Sequence, residues 1–309
     1  MLPLWYTKHG ETMKDEKLRT GEKRLLAVAW VLALALFVFA LVWFQISKPV
    51  SVSFVDVGQG DASLIQAGRH GNVLIDGGDA GSGVTLIDYL ANQNVRALDA
   101  VFVSHFHEDH MSGITELMTQ DFPIRMLYLP KVSENSQEEA NFLKLVHEKQ
   151  IPMRRISAGE ELTIGKAHYC ILWPEEKAEY MTANNQSLVL RVDYGENRVL
   201  FTGDIEASAQ AELVQEKSEQ LSAQVLKVPH HGGQSAVYRP FLAACHPQFA
   251  VIEVGMNNYY GHPSQEMLTA LADSGCTVYR TDLNGTVKLL LDKEKNKRIE
   301  TADKWRTLK

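Results

Sequence analysis

Two stretches of this chain repeat one pattern, and that restricts the fold to two related halves. Ser63-Leu64-Ile65, a turn and Val73-Leu74-Ile75-Asp76-Gly77-Gly78-Asp79 form the first copy. Ser187-Leu188-Val189, a turn and Val199-Leu200-Phe201-Thr202-Gly203-Asp204 form the second. Each copy reads as a two-stranded hairpin closing on a Gly-Asp turn. A histidine then follows at one interval, 26 positions from Asp79 to His105 and 26 from Asp204 to His230, each time beyond an apolar strand. Two such halves facing each other would carry both histidine loops to one edge of paired sheets.

The segments around the repeat mix strands and helices without a linker long enough to divide them. Strands are expected over 50–57, 62–66, 72–76, 100–103, 161–164, 168–172, 187–193, 198–201 and 224–228, and helices over 86–92, 207–216 and 264–274. Ser136-Gln137-Glu138-Glu139 is a capping-box pattern that opens a further helix, with Phe142, Leu143 and Val146 on one face. With 309 residues, 45% hydrophobic and 22% charged, wholesale disorder is excluded. A formal net charge of −7 opposes holding nucleic acid by a broad basic face. Cys170, Cys245 and Cys276 are an odd set, and no disulfide is expected.

The N-terminal part differs in kind. Leu25 to Phe44 is twenty residues without a charge, an amide or a proline. As a helix it would be about 30 Å long, the hydrocarbon thickness of a bilayer. It is too long for the apolar core of a secretory signal, and Trp43-Phe44-Gln45-Ile46 is a poor cleavage site, so residues 25–46 are expected to be an uncleaved transmembrane helix. Lys8, Lys14, Lys17, Arg19, Lys23 and Arg24 precede the span and only Lys48 follows closely, which places residues 1–24 in the cytoplasm and the rest outside the cell membrane. Beyond residue 46 there are 25 basic and 34 acidic residues, about −9 in all.

The chemistry concentrates in His105-Phe106-His107-Glu108-Asp109-His110. Residues two apart in extended backbone point the same way, so His105 and His107 can grip one metal ion. Asp109 and His110, turning into the next helix, are placed to serve a second. Asp204, at a glycine-permitted turn after a buried strand, can lean over the sheet edge and bridge both ions. In His230-His231-Gly232-Gly233 the repeat spacing favours His230 as a ligand of the second ion. His231 is left between substrate contact, support of a ligand and an alternative ligand. His262, in Gly261-His262-Pro263-Ser264, is either a helix-entry residue or a contact for an anionic group at the helix N-terminus.

HFHEDH, followed by TGD and a later histidine, resembles the metallo-β-lactamase superfamily of binuclear metallohydrolases. More narrowly, Phe54–Asp61 (FVDVGQGD), Asn184–Val192 (NNQSLVLRV), LKVPHHGG and YGHP look like the metallo-β-lactamase-like domain of ComEC/Rec2 DNA-uptake proteins, over about residues 50–290. The resemblance implies an α+β fold, a four-layer αββα sandwich over 49–291 preceded by the membrane helix, with 292–309 as a charged C-terminal tail. It also implies two divalent metal ions, Zn²⁺ or Mn²⁺, at the edge of the sheets. A water held between two dications sharing Asp204 would have its pKa lowered from 15.7 towards about 7. Asp109, His231 and His262 are the candidates for positioning substrate or moving a proton.

Two departures from the family pattern stand out. Many members supply another histidine to the first metal just before the second hairpin; here Met181-Thr182-Ala183-Asn184-Asn185-Gln186-Ser187 contains none. An asparagine carbonyl or a water would then fill the gap, weakening that site or favouring Mn²⁺ over Zn²⁺. His168, the nearest histidine upstream, lies in an expected strand. The DNA-uptake proteins also join the domain to a multi-spanning channel, whereas one span cannot enclose a DNA path. The expected function is a membrane-anchored, extracytoplasmic hydrolase of phosphodiesters, nucleic acid among them. The alternatives are a hydrolase of another ester, amide or lactam, and a membrane-tethered module that binds DNA or an envelope partner with little or no catalysis.

Overall fold

The computed structural model describes residues 23–39 and 49–301, except 134, 176–177, 179–180 and 294–296. The chain divides into two units, 1–48 and 49–309. In the first, residues 23–39 form helix α1. Its apolar side chains are exposed, Leu25 and Trp30 among them. Among the described residues no helix is long and apolar enough to cross a membrane. Residues 40–46 of the expected span, and most of the expected cytoplasmic segment, lie outside the described residues.

The second unit is built from two sheets. In chain order its first half runs β1 (Val50–Phe54), β2 (Ser63–Gln66), β3 (Asn72–Ile75), α2 (Ser82–Asn92), β4 (Ala100–Phe102), α3 (Glu108–Thr119), β5 (Leu127–Pro130), α4 (Gln137–Glu148) and β6 (Met153–Ile156). The second half runs β7 (Glu161–Ile164), β8 (Ala167–Trp173), β9 (Val189–Tyr194), β10 (Asn197–Phe201), α5 (Ala207–Leu221), β11 (Val225–Lys227), α6 (Arg239–Cys245), β12 (Phe249–Ile252), α7 (Gln265–Asp273) and β13 (Thr277–Arg280). The short α8 (Thr281–Asn284) then leads to β14 (Val287–Leu291) and β15 (Lys297–Thr301), which return to the first sheet. The sheet orders are β15-β14-β1-β2-β3-β4-β5-β6 and β13-β12-β11-β10-β9-β8-β7.

Each sheet is antiparallel on one side and parallel on the other. In the first, β3 pairs antiparallel with β2 and parallel with β4; in the second, β10 pairs antiparallel with β9 and parallel with β11. Parallel neighbours require a crossover, so α2–α4 and α5–α7 are the connections that cover the outer faces. Alternation along the strands shows the layering. Val73, Ile75, Val199 and Phe201 enter the core between the sheets, Leu74 packs under the first helix set and Leu200 under the second. Phe54 stacks on Phe201 at 5.8 Å and Phe102 on Tyr169 at 5.4 Å, tying the sheets together. The result is the expected αββα sandwich.

The repeated hairpins are matching strands of the two sheets, but their carboxylates do not match. Val73 pairs with Ala100 and Val199 with Val225, so Gly78, not Asp79, occupies the place of Asp204 in the first half. The expected helix at 207–216 continues to Leu221, and that at 86–92 begins already at Ser82. The charged end beginning at residue 292 is not wholly a solvated tail: residues 297–301 form β15, antiparallel to β14. Ile299 packs against the inter-sheet core while charged neighbours flank it, the usual composition of an edge strand that resists pairing with other chains.

Candidate metal centre

Strand β4 ends at Phe102 and the chain passes through a bend at Phe106 to His107, which precedes the first residue of α3. That path brings His105, His107 and His110 together, with ring centroids 4.6 Å apart for His105–His107 and 4.2 Å for His105–His110. From the other sheet, the turn after β10 delivers Asp204. Gly203 makes this turn possible, with φ +48 and a position where a Cβ would lie 2.7 Å from the Ser187 side chain and 2.9 Å from that of Ser104. The two halves therefore meet at a distance only a glycine allows.

Asp109, His110, Asp204 and His231 each offer a ligand atom, all within 4.8 Å of one another. His110 Nε2 lies 3.2 Å from Asp204 Oδ2, and His231 Nε2 lies 3.1 Å from Asp109 Oδ2 and 3.4 Å from Asp204 Oδ2. Both imidazoles are held from behind. His110 Nδ1 lies 3.0 Å from Asp76 Oδ2, and His231 Nδ1 lies 2.9 Å from the Glu253 carbonyl. A proton on each Nδ1 satisfies those acceptors and turns the Nε2 lone pairs toward the centre. His105 Nε2 and Asp204 Oδ1 are buried without a hydrogen-bond partner. Such atoms cost about 1–3 kcal/mol each unless something pairs with them, and this donor set fits a divalent cation.

The repeat spacing favours His230 as the ligand from this loop, whereas the structure groups His231 with the carboxylates. His230 and His231 both adopt left-handed backbone, φ 51 and 50, so side-chain direction no longer follows the alternation of an extended chain. His230 stays at the rim, with Nε2 3.9 Å from Asp204 Oδ2 and Nδ1 3.1 Å from Ser235 Oγ. His107 is exposed at the mouth. His262 joins the group, its ring 5.5 Å from His230 and 6.4 Å from His231. His168 sits apart on the β7–β8 edge with Glu161 and Cys170. All six residues expected to bind metal, together with His231 and His262, thus converge on one end of the sandwich.

Charge explains how the centre is held. Burial opposes protonation of His110 and His231, yet Asp204, Asp109 and Asp61 around them outweigh it and hold both well above the usual histidine range. Asp204 stays ionised far below the carboxylate range, its burial overcome by His110 and His231. His105 is kept neutral, first by burial and then by His110. Burial, with His230 and His231 nearby, lowers His262 to about 4, so it is neutral near neutral pH.

Beneath the His/Asp cluster lies a buried ionic layer that no sequence motif marks. The Lys227 ammonium pairs with Asp61, donates to the Gly203 carbonyl at 3.0 Å and lies 3.7 Å from Asp204 Oδ1. Glu253 accepts from the Ala62 N–H at 3.0 Å and from Ser63 Oγ at 3.2 Å. Burial, reinforced by Asp61, pushes its carboxyl up to about 8. The available signal was a lone charge inside an apolar strand, Lys227 after Val225-Leu226 and Glu253 after Phe249-Ala250-Val251-Ile252.

Residues 55–244 match the Metallo-beta-lactamase superfamily, more than half of the chain. The chain belongs to that superfamily. Among curated proteins it is 30% identical over 260 residues to ComE operon protein 3 of Bacillus subtilis, covering 79% of this chain and 33% of that protein. It is 27% identical over 300 residues to Recombination protein 2 of Haemophilus influenzae, covering 92% of this chain and 35% of that protein. This chain thus spans about a third of the length of these distant relatives. Among solved structures, the metallo-beta-lactamase fold protein YhfI from Bacillus subtilis superposes with a TM-score of 0.53 at 16% identity, covering 77% of this chain and 99% of that one. CmlA, a diiron beta-hydroxylase from Streptomyces venezuelae, gives 0.52 at 16% identity, covering 79% and 54%. These two establish the shared sandwich, and the buried His/Asp cluster lies where its sheets meet.

Proposed function

We propose that this protein is a membrane-anchored, extracytoplasmic phosphodiesterase that uses two divalent cations and acts on nucleic-acid ends or small phosphodiesters. The reading rests above all on the Asp109–His110–Asp204–His231 cluster at the base of a cavity of about 600 Å³. Bound cations would supply an acidified water and positive charge against a phosphoryl oxygen. The chain supplies the rest. Asp109, Asp204, His110 and His231 would hold one cation, and buried His105 with His107 at the mouth offers donors toward a second. Neutral His262 is available to hold an outer substrate oxygen or to pass a proton to it.

Two further features support a nucleic-acid substrate. Tyr260 lines the cavity, stacks on His262 at 5.7 Å with 20° between the rings, and is 68% exposed; Tyr259 beside it is fully exposed. An aromatic face at the mouth suits a nucleobase, and base stacking contributes about 1–3 kcal/mol per base. The relative named for recombination favours the same substrate class. Membrane anchoring draws on the twenty apolar residues from Leu25 to Phe44 and the basic residues before them.

The test is hydrolysis of bis-p-nitrophenyl phosphate and of a single-stranded oligonucleotide by the cation-loaded full chain. Turnover of both, lost in His110→Ala, is expected. Cation binding with salt-sensitive strand binding but no turnover would replace the enzyme by a binding module. Tyr260→Ala should raise KM for the oligonucleotide several-fold and leave an abasic strand of equal length unaffected. Protease added outside cells with a permeable outer wall should digest the region beyond residue 48; protection there would reverse the orientation.

A further inference from the structure

The two asparagines of the histidine-free segment 181–187 have opposite fates. Asn185 is fully engaged: its Oδ1 accepts from the N–H groups of Glu206 and Ala209, at 2.9 and 3.4 Å, and its Nδ2 donates to Thr182 Oγ1 at 2.8 Å. It is spent on satisfying the start of α5. Asn184 is different. Its side-chain Oδ1 is buried with no hydrogen-bond partner, and the residue lines the cavity together with His107 and Asp204.

The turn that carries Asn184 is held from several sides. Ser187 donates to the Asn184 carbonyl from its hydroxyl at 2.7 Å and from its N–H at 3.1 Å. The same Ser187 hydroxyl accepts from the Asp204 N–H at 3.1 Å. The Trp173 indole donates to the Asn185 carbonyl at 2.6 Å, and Gln186 Nε2 donates to the Met181 carbonyl at 3.0 Å. Asn184 is therefore positioned by the same hydroxyl that positions Asp204. On the facing loop His105 Nε2, and on the adjoining turn Asp204 Oδ1, are likewise buried without a hydrogen-bond partner.

We infer that Asn184 Oδ1 is the donor that completes a second cation site with His105, His107 and Asp204, and that this oxygen selects Mn²⁺ over Zn²⁺ at that site alone. The inference deepens the proposed cation centre. Carbonyl oxygens favour hard ions such as Mn²⁺ and Mg²⁺, whereas an imidazole in the same place would favour Zn²⁺. The centre is then asymmetric. The cluster of Asp109, His110, Asp204 and His231 binds the first ion, and the Asn184 site fills second.

Equilibrium dialysis of the metal-stripped full chain against Mn²⁺, with the bound metal counted by elemental analysis, tests this. The wild type should bind two equivalents in two steps. Asn184→Ala should weaken only the second step, by roughly tenfold or more on the scale of a lost supporting group, with the first unchanged. Asn184→His should bind Zn²⁺ more tightly at the second step and lose the Mn²⁺ preference there, which separates ligation from a mere effect on folding. Two unaltered Mn²⁺ steps in Asn184→Ala, or an unchanged ion preference in Asn184→His, would overturn the assignment while leaving the centre itself intact. A wild type that binds no cation would instead remove the centre and the proposed function with it.

Discussion

The two halves of the sandwich share a strand plan but equip the site differently. The first half places His105, His107, Asp109 and His110 on one continuous path from β4 into α3, so backbone geometry alone groups them. The second half brings Asp204 and His231 from separate turns, one requiring Gly203 and the other a pair of left-handed histidines, and holds them over the Lys227–Asp61 pair. One half is organised by local sequence and the other by long-range contacts. Substitutions should therefore have local effects in the first half and spread through the buried layer in the second.

The largest expected effect separates two neighbouring residues. His231→Ala should weaken cation binding by about 100-fold or more, beyond the 10–100-fold typical of supporting partners, and should abolish hydrolysis. His230→Ala should retain the cations with a much smaller loss of turnover. Metal content after dialysis and turnover of bis-p-nitrophenyl phosphate measure both. If His230→Ala loses an ion and His231→Ala keeps it, the second half follows the simple repeat spacing after all.

The next effect is on stability. Lys227→Met removes the ammonium paired with buried Asp61 and leaves it only the His110 and His231 imidazoles, at 3.7 and 3.2 Å, a change expected to cost up to about 3–5 kcal/mol in urea unfolding. Adding Asp61→Asn should return part of that loss, because the two groups are coupled. Equal losses in the single and double variants would show that Lys227 acts through Asp204 or Gly203 and not through Asp61.

This contrast also explains what the sequence discloses. Two related halves are legible in hairpins with matched spacing, the αββα sandwich itself is legible only through the family resemblance, and HFHEDH gathers four candidate ligands within six residues. Strands β5, β6, β12 and β13 escaped notice because they are short runs of four residues with no hairpin turn to mark them. His231 stood among the candidates, but the choice between it and His230 was hidden by the left-handed backbone of both residues. Lys227 and Glu253 were hidden because their partners lie far away in sequence, Asp61 for the first and Ala62 with Ser63 for the second.

A smaller effect appears with pH. In the ion-free protein the carboxylates hold His110 and His231 above 6.5, so their contribution to stability is full below that value and is lost as pH rises through the folded values. Glu253, at about 8 against 4.5, likewise loses stability as pH climbs through that interval. A cation requires neutral imidazoles and therefore releases protons on binding, each worth about 1.4 kcal/mol per pH unit. The rise in Tm on adding saturating Mn²⁺ should be greater at about pH 8 than at about pH 6. An equal rise at both would mean that the second half keeps His231 neutral without the ion.

The smallest effect compares one helix start from each half. Ser136 accepts from the Glu139 N–H at 3.0 Å at the start of α4, and Ser264 accepts from the Met267 N–H at 3.1 Å at the start of α7. Alanine at either should cost about 1 kcal/mol in urea unfolding. The Ser264 N–H also donates to the Gly232 carbonyl at 2.9 Å, which links α7 to the loop bearing His231. That bond belongs to the backbone and survives the substitution, so cation affinity should stay unchanged in both variants. Weaker cation binding in Ser264→Ala alone would show that the His231 loop depends on the capped helix as well as on β11, and would sharpen the difference between a locally organised half and one held from a distance.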